Sequence, residues 1–473
     1  MLTAHRVEDI RAAEKSLAAT LPEGELMRRA ARGLADALDV LAAGDLVVML
    51  IGPGNNGGDA LFAAVHLLDR GVRVDLCLLD ESRSHAEGLA AARGAGAQVV
   101  REPTGQRFCL DAIFGIGARP GGLSGTPAAW AEWIDDHRPH TVAVGVPSGV
   151  DVDGATLPGS YVRADATITL GTYKNALLLD PAAGAAGSVT LVDIGLAEHL
   201  PAPSVEAIEA SDGSLLAPAV PGAASHKYTR GVVGVAAGSE QYAGAAHLCV
   251  AGAQSGLAGM VRFVGSAELS RRIVERAPEV VAGRARVQVW VVGPGGGGDA
   301  GVRLQMALED GVPVVVDASA LQHLPASFDV PALLTPHAGE LAAMLGTDRE
   351  SVEADPLAHA QRAAERWNAT VLLKGRRTVV AHTGSPTRVN RSGSPWLGTA
   401  GAGDVLAGFA GSLLAAGLDA RDAGSLAAFL HGTASIHANP GGPITASDVA
   451  RALPSTVASF LLTSAPGHGR GLP

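Results

Sequence analysis

Leu46-Val47-Val48-Met49-Leu50-Ile51, then Gly52-Pro53-Gly54-Asn55-Asn56-Gly57-Gly58-Asp59, then the alanine-rich residues 60–68 and the apolar run 72–79, form the stretch on which the fold turns. A short apolar run, a glycine turn, a helix-length segment and a second apolar run follow in the order of a βαβ unit. Such units set parallel strands side by side with helices over them. The rhythm weakens after Val192-Asp193-Ile194-Gly195-Leu196, where Leu200-Pro-Ala-Pro-Ser204 intervenes. It resumes in Gly231-Val-Val-Gly-Val-Ala236, Val287-Gln-Val-Trp-Val-Val292, Val312-Pro-Val-Val-Val-Asp317 and Thr370-Val-Leu-Leu373. The chain has 473 residues, more than one hydrophobic core usually serves, so two α/β domains are expected, 1–210 and 211–473.

Composition narrows the function. A net charge of −11 and 4% aromatic residues, with no basic cluster, argue against a nucleic-acid surface, which needs a positive footprint. No run approaches the length of apolar sequence that a membrane span requires, and residues 1–14 are too charged for a signal peptide. Cys77, Cys109 and Cys249 sit among apolar neighbours with no metal spacing, as buried free thiols in a reducing compartment would. A cytoplasmic enzyme with a small-molecule partner is the expectation.

Three strand ends in the first half carry polar residues, and open α/β sheets bind ligands outside the carboxyl ends of their strands. The Gly52–Asp59 turn opens a helix, where backbone amides attract phosphate, and Asn55, Asn56 and Asp59 add oxygens suited to a hard cation. Asp111, in Phe108-Cys-Leu-Asp-Ala-Ile-Phe-Gly-Ile-Gly117, is a carboxylate inside an apolar run, costly unless paired. Ser148, in Val144-Gly-Val-Pro-Ser-Gly149, brings a hydroxyl beside a turn.

Together these residues resemble the NAD(P)H-hydrate epimerase family over residues 1–196. The resemblance implies that Asn55, Asn56, Gly57, Gly58, Asp59, Gly115, Ile116, Gly117, Ala118, Arg119, Pro120, Gly121 and Gly145 meet a hydrated dinucleotide. It implies a potassium ion at Asn56, Asp111 and Ser148, and a catalytic lysine at Lys174 in Thr167-Ile-Thr-Leu-Gly-Thr-Tyr-Lys174. Two positions depart from the family. Gly145 stands where it has an aspartate beside the reacting ring, and Ala60 where it has a glycine. Glycine has no titratable group to move a proton, so impaired epimerisation is expected.

In the second half, Gly398-Thr-Ala-Gly401-Ala-Gly403-Asp404-Val-Leu-Ala-Gly408 precedes a helix with Val405, Phe409 and Leu413 at i, i+4 spacing. A glycine loop entering a helix directs several amides at one point, an anion hole for a transferring phosphoryl group, and Asp404 beside it can accept a proton from an attacking hydroxyl. As a plain helix cap it would not need three close glycines. Leu372-Leu-Lys374-Gly375-Arg376-Arg377-Thr378-Val-Val380 reads as strand, tight turn and strand, with a lysine and a hydroxyl for phosphates. Thr335-Pro-His337-Ala-Gly-Glu340 sets a histidine at a strand end, Gly293-Pro-Gly-Gly-Gly-Gly-Asp299 follows another strand, and Gln241-Tyr-Ala-Gly-Ala-Ala246 opens a small-residue helix.

These elements, in this order, resemble the NAD(P)H-hydrate dehydratase family over residues 215–465. The resemblance implies two three-layer α/β/α domains, the first Rossmann-like and the second ribokinase-like. It implies dinucleotide contacts at Ala245, Gly295, Gly297, His337 and Asp404, and ADP contacts at Lys374, Gly375, Arg376, Arg377, Thr378, Gly401 and Gly403, with Asp404 catalytic. Ser319 stands where the family often has a second aspartate. The expected partners are NADHX or NADPHX and ADP with Mg2+, in a homo-oligomer, with neither nucleic acid nor membrane. The alternative is a ribokinase-like small-molecule kinase with a dinucleotide-binding, non-catalytic N-terminal domain, since the Gly-Ala-Gly-Asp element is shared across such enzymes.

Overall fold

The computed structural model describes residues 1–118, 121–212, 218 and 220–464. Two compact units separate between Val205 and Glu206: Thr3–Val205 is one, and Met1–Leu2 with the chain from Glu206 onward is the other.

In the N-terminal unit the chain runs β1 (Leu2–His5), α1 (Val7–Ala18), α2 (Glu25–Ala37), β2 (Leu46–Ile51), α3 (Asn55–Asp69), β3 (Arg73–Leu78), α4 (Ala86–Ala95), β4 (Gln98–Val100) and β5 (Phe108–Ala112). It continues through α5 (Thr126–His137), β6 (His140–Val144), β7 (Ala166–Leu170), β8 (Tyr173–Lys174), α6 (Asn175–Leu178) and β9 (Ser188–Val192). Seven parallel strands form a sheet in the order β4-β3-β2-β5-β6-β7-β9. Alternation along β2 assigns its two faces. Val47, Met49 and Ile51 join a core with Leu34 of α2 and Leu61 and Ala64 of α3, while Val48 and Leu50 join another with Trp130 and Ile134 of α5. Helices therefore cover both faces, as the continuous apolar runs require. Beside this sheet β1 pairs parallel with β8, joining His5 to Lys174 in register.

After β10 (Val205–Ala207), the C-terminal unit contributes β11 (Val232–Ala236), β12 (Met260–Phe263), β13 (Val281–Ala282), β14 (Val289–Val292), β15 (Val314–Val316) and β16 (Ala332–Leu334). β17 (Thr370–Leu373), β18 (Thr378–Ala381) and β19 (Thr387–Asn390) complete it. The order is β13-β12-β11-β14-β15-β16-β17-β18-β19, parallel through β17 and antiparallel after it. Val233, Val235, Val289 and Val291 pack against Phe409, Leu413, Leu426 and Leu430 of the helices Ala402–Ala415 and Ala420–Ala438. Between them on β14, Trp290 is fully buried and its indole N–H donates to Asp310 at 2.8 Å, satisfying the one polar atom the ring carries.

Candidate active sites

The N-terminal site follows from register. Ile51 pairs with Ala112 and Asp111 with Ala143, so the turns after β2, β5 and β6 open at one edge of the sheet. Gly52 is obligatory there, because a Cβ would lie 1.7 Å from the Ile113 carbonyl oxygen. The residues Asn55 to Asp59 are themselves the first turn of α3, behind Gly54 at φ 90°. Gly57 and Gly58 face inward, where Cβ atoms would meet the Gly52 carbonyl at 2.3 Å and the His85 ring at 3.1 Å, so their glycines are explained by packing.

Asp111 is fully buried and satisfied largely from one residue: Ser148 donates its hydroxyl at 2.6 Å and its amide at 2.8 Å, and Ile113 N–H adds a third bond at 3.2 Å. Burial still pushes the carboxyl up to about 6. Ser148 Oγ in turn accepts from Phe114 N–H at 2.9 Å. The Asn56 side chain faces the same turns, its Oδ1 at 2.8 Å from the Cβ position of Gly115 and 3.4 Å from that of Gly145, and its buried Nδ2 has no hydrogen-bond partner. The Asn56 Oδ1, a buried carboxylate and a hydroxyl are oxygen donors of the kind that suits potassium. Gly145 lies at φ 78°, a left-handed backbone that disfavours any side chain, although only Asn56 Oδ1 comes within 4 Å of its Cβ position.

These turns line a cleft of ≈ 1480 Å³ together with Glu14, Asp59, Gly145 and Lys174. Asn55, Asn56 and residues 115–118 are on its wall; Gly57, Gly58 and Gly121 are not. Arg119 and Pro120 lie outside the described residues. Lys174 is buried rather than solvated: its ammonium donates to Thr169 Oγ1 at 2.8 Å and to the carbonyls of Leu170 and Thr172 at 2.9 and 3.0 Å. Burial pulls it down to about 8, against the opposing charges of Glu14 and Asp59. Asp59 moves the other way, pushed up to about 8 by burial and by the Glu14 charge. The placement of Glu14 carries no signature in the sequence; nothing in the polar face of α1 marks one glutamate as cleft-lining.

The C-terminal site also gathers at strand ends, since Val292, Val316 and Leu334 are in register and the turn after β17 joins them through a bridge between His337 and Lys374. Gly401 caps the helix Ala402–Ala415 at φ 88°, putting Ala402, Gly403 and Asp404 in the first turn with their amides at the positive end of the helix. Burial, then the charge of Asp317, pushes the Asp404 carboxyl up to about 6 against the pull of Lys374. The Lys374 ammonium lies 3.4 Å from the Cβ position of Gly403. It donates to Asp317 Oδ1 at 2.8 Å, with Glu340 Oε2 at 3.6 Å, and Thr335 Oγ1 donates to the same Asp317 oxygen at 2.8 Å. Burial depresses that lysine, but the two carboxylates outweigh it and hold the ammonium above its ordinary value.

Lys374 therefore arrives with its charge shared between Asp317 and Glu340, with Asp404 a third carboxylate nearby. A nucleotide phosphate entering this field needs a divalent counter-ion. Among the described residues no group of three His, Cys, Asp or Glu side chains is placed to hold a metal ion. Gly375, Arg376 and Arg377 form the turn into β18, which begins at Thr378. His337 serves the backbone, because its Nδ1 accepts from Glu340 N–H at 3.1 Å while its own amide donates to Glu340 at 2.8 Å, a reciprocal cap on the helix Ala338–Leu345. Its ring is mostly exposed, leaving Nε2 toward solvent and, at 3.6 Å, Glu340. Ala245 and Gly295 are brought together, the Cβ position of Gly295 lying 2.4 Å from Ala245 Cβ, and that of Gly297 lies 3.4 Å from Ser239. Ser319 donates to the Gly293 carbonyl at 2.9 Å and so braces the glycine turn.

Known proteins share both halves of this chain. Residues 233–454 match the NAD(P)H-hydrate dehydratase family, and residues 23–176 match the family of YjeF-related protein N-termini. The Bifunctional NAD(P)H-hydrate repair enzyme Nnr of Mycobacterium leprae is 41% identical over 451 residues, covering 91% of this chain and 93% of its own. The enzyme of the same description from Mycobacterium tuberculosis is 40% identical over 444 residues, covering 89% and 90%. Among solved structures, an ADP/ATP-dependent NAD(P)H-hydrate dehydratase from Bacillus subtilis, co-crystallised with ATP and Mg2+, is 26% identical with a TM-score of 0.51, over 53% of this chain and 97% of that one.

Proposed function

The chain belongs to the bifunctional NAD(P)H-hydrate repair enzymes, with an epimerase and a dehydratase domain, and from that premise we propose how its residues divide the work. Residues 211–473 dehydrate the S form of hydrated NADH or NADPH at the expense of ADP, and residues 1–210 interconvert the R and S forms. Asp404 takes the proton of the ring hydroxyl as its oxygen attacks the terminal phosphorus of ADP, releasing AMP. The amides of Gly401 to Gly403 face the charge that grows on the transferring group, and Lys374 orients it. Departure of phosphate with loss of the neighbouring ring proton restores the reduced ring. Mg2+ entering with the nucleotide would neutralise phosphate charge; the similar Bacillus subtilis dehydratase was co-crystallised with ATP and Mg2+.

The observation that carries this reading is Asp404 itself, in the first turn of a glycine-capped helix with its carboxyl raised into the range of a working base. Lys374 and residues 375–378 supply the nucleotide contacts, Ala245, Gly295, Gly297 and His337 those of the dinucleotide. Asn56 on the N-terminal cleft wall, with the buried Asp111 and Ser148, would hold potassium, whose charge would brace the turns around the substrate, and Lys174 is the catalytic lysine. Buried free thiols at Cys77, Cys109 and Cys249 favour a reducing, cytoplasmic setting, and a homo-oligomer completes the proposal. No described helix is long and apolar enough to cross a membrane.

Mixed R and S hydrates supplied with ADP and Mg2+ test the reading. Recovery of reduced nicotinamide absorbance with one AMP and one phosphate per ring is expected. A phosphorylated product that persists would instead identify a small-molecule kinase.

A further inference from the structure

The N-terminal cleft lacks, at Gly145, the acid/base side chain of the family pattern, yet among the described residues three carboxylates on its wall enter no hydrogen bond: Glu14 and Asp59, partly buried, and Glu23, exposed. Glu14 of α1 and Asp59 of α3 both line the cleft beside Gly145 and Lys174. Among the described residues neither makes a hydrogen bond or ion pair, whereas the Lys174 ammonium is fixed by three oxygen acceptors. The three groups feel one another's charge, Glu14 acting on both Asp59 and Lys174. Burying two carboxyls on the wall of one cleft raises the cost of ionising both, which favours a retained proton. Inverting a carbon that bears both a hydroxyl and a ring nitrogen needs such a proton. The nitrogen lone pair forms a C=N bond as the hydroxyl leaves, taking a proton from a carboxylic acid and departing as water. Water then adds to the opposite face, returning a proton to the carboxylate and the electron pair to nitrogen.

We propose that Glu14, working with Asp59 and Lys174, is the proton donor and acceptor of this cleft, replacing the carboxylate that Gly145 lacks; the inference rests on the epimerase reading of this domain. Burial raises the Glu14 carboxyl from its ordinary value while Lys174 and Arg11 oppose it. Of the other charged groups here, Glu23 and Arg83 also line the cleft, Arg11 donates to the Ile116 carbonyl at 3.2 Å, Glu25 of α2 pairs with Arg28 and Arg29, and His199 bonds Ser16.

The full-length chain, given the pure R hydrate of NADH without ADP, should convert it to a mixture of R and S. In Glu14→Gln, kcat for this conversion should fall about tenfold or more with KM nearly unchanged, and the loss of rate at rising pH that a protonated donor imposes should vanish. Glu14→Asp should restore part of kcat together with that limb. Unchanged ADP-dependent dehydration of the S hydrate by Glu14→Gln would show that the chain remains folded. Wild-type kcat and pH profile in Glu14→Gln, or an Asp variant no better than the Gln variant, would overturn the assignment of Glu14. A wild-type chain that leaves the R hydrate untouched would overturn the epimerase reading as well.

Discussion

Asp404 shows how position alone sets a residue's chemistry. Its carboxyl, pushed up to about 6 by burial and by Asp317, must lose its proton before it can take one from a hydroxyl. Dehydration kcat/KM should therefore be flat above neutrality and fall as pH drops through about 6, and Asp317→Asn should move that midpoint downward, as a pH–rate series would show. At Asp111 the buried carboxylate spends its hydrogen bonds on Ser148 and Ile113, and Asn56 leaves an amide unpartnered. Potassium chloride should raise the melting temperature of the chain relative to choline chloride, and Asp111→Asn should abolish the difference. Most of these residues were legible in the sequence because glycine turns and out-of-place polar residues are conspicuous. Glu14 was not, since an amphipathic helix of charged residues does not say which of them turns toward a cleft. Gly145 was legible only as a departure from the family pattern; its left-handed backbone needed the structure.

The helix Ala402–Ala415 carries its first turn, with Asp404, on a packing device. Gly408 touches the helix Ala243–Ala253 so closely that a Cβ would fall 1.9 Å from the Cys249 carbonyl oxygen, and Gly252 meets Val405 in the same way at 2.1 Å. Gly408→Ala should therefore force the helices apart, costing on the order of 1–3 kcal/mol in denaturant unfolding and lowering dehydration more than nucleotide-free stability alone would explain. Gly401→Ala combines a left-handed φ with a clash against Leu248 at 2.3 Å, and should weaken nucleotide binding in direct titration. The sequence revealed the small residues of Gln241 to Ala246 but left open whether they pack on a ligand or on the protein. The helix they open packs in both directions, with Ala245 abutting Gly295 while Cys249 and Gly252 meet the helix Ala402–Ala415. Element boundaries were less readable, because Asn55 to Asp59 look like a loop and fold as the first turn of α3.

For the whole molecule, alternating apolar runs and glycine turns were enough to read two α/β domains, since a sheet covered on both faces leaves no other pattern for its strands. The compact units part between Val205 and Glu206, a few residues before the boundary read from the Pro-containing segment, which marks a connection without marking its last contact. Two sites in one chain imply separable activities. Lys174→Met should leave dehydration of the S hydrate intact while slowing use of the R hydrate. The most direct test of the central claim is the complementary one, Asp404→Ala assayed on mixed hydrates with ADP and Mg2+. The account predicts that ADP-dependent recovery of the reduced ring falls by roughly 10²–10⁴-fold while R and S continue to interconvert. Recovery at the wild-type rate would contradict it.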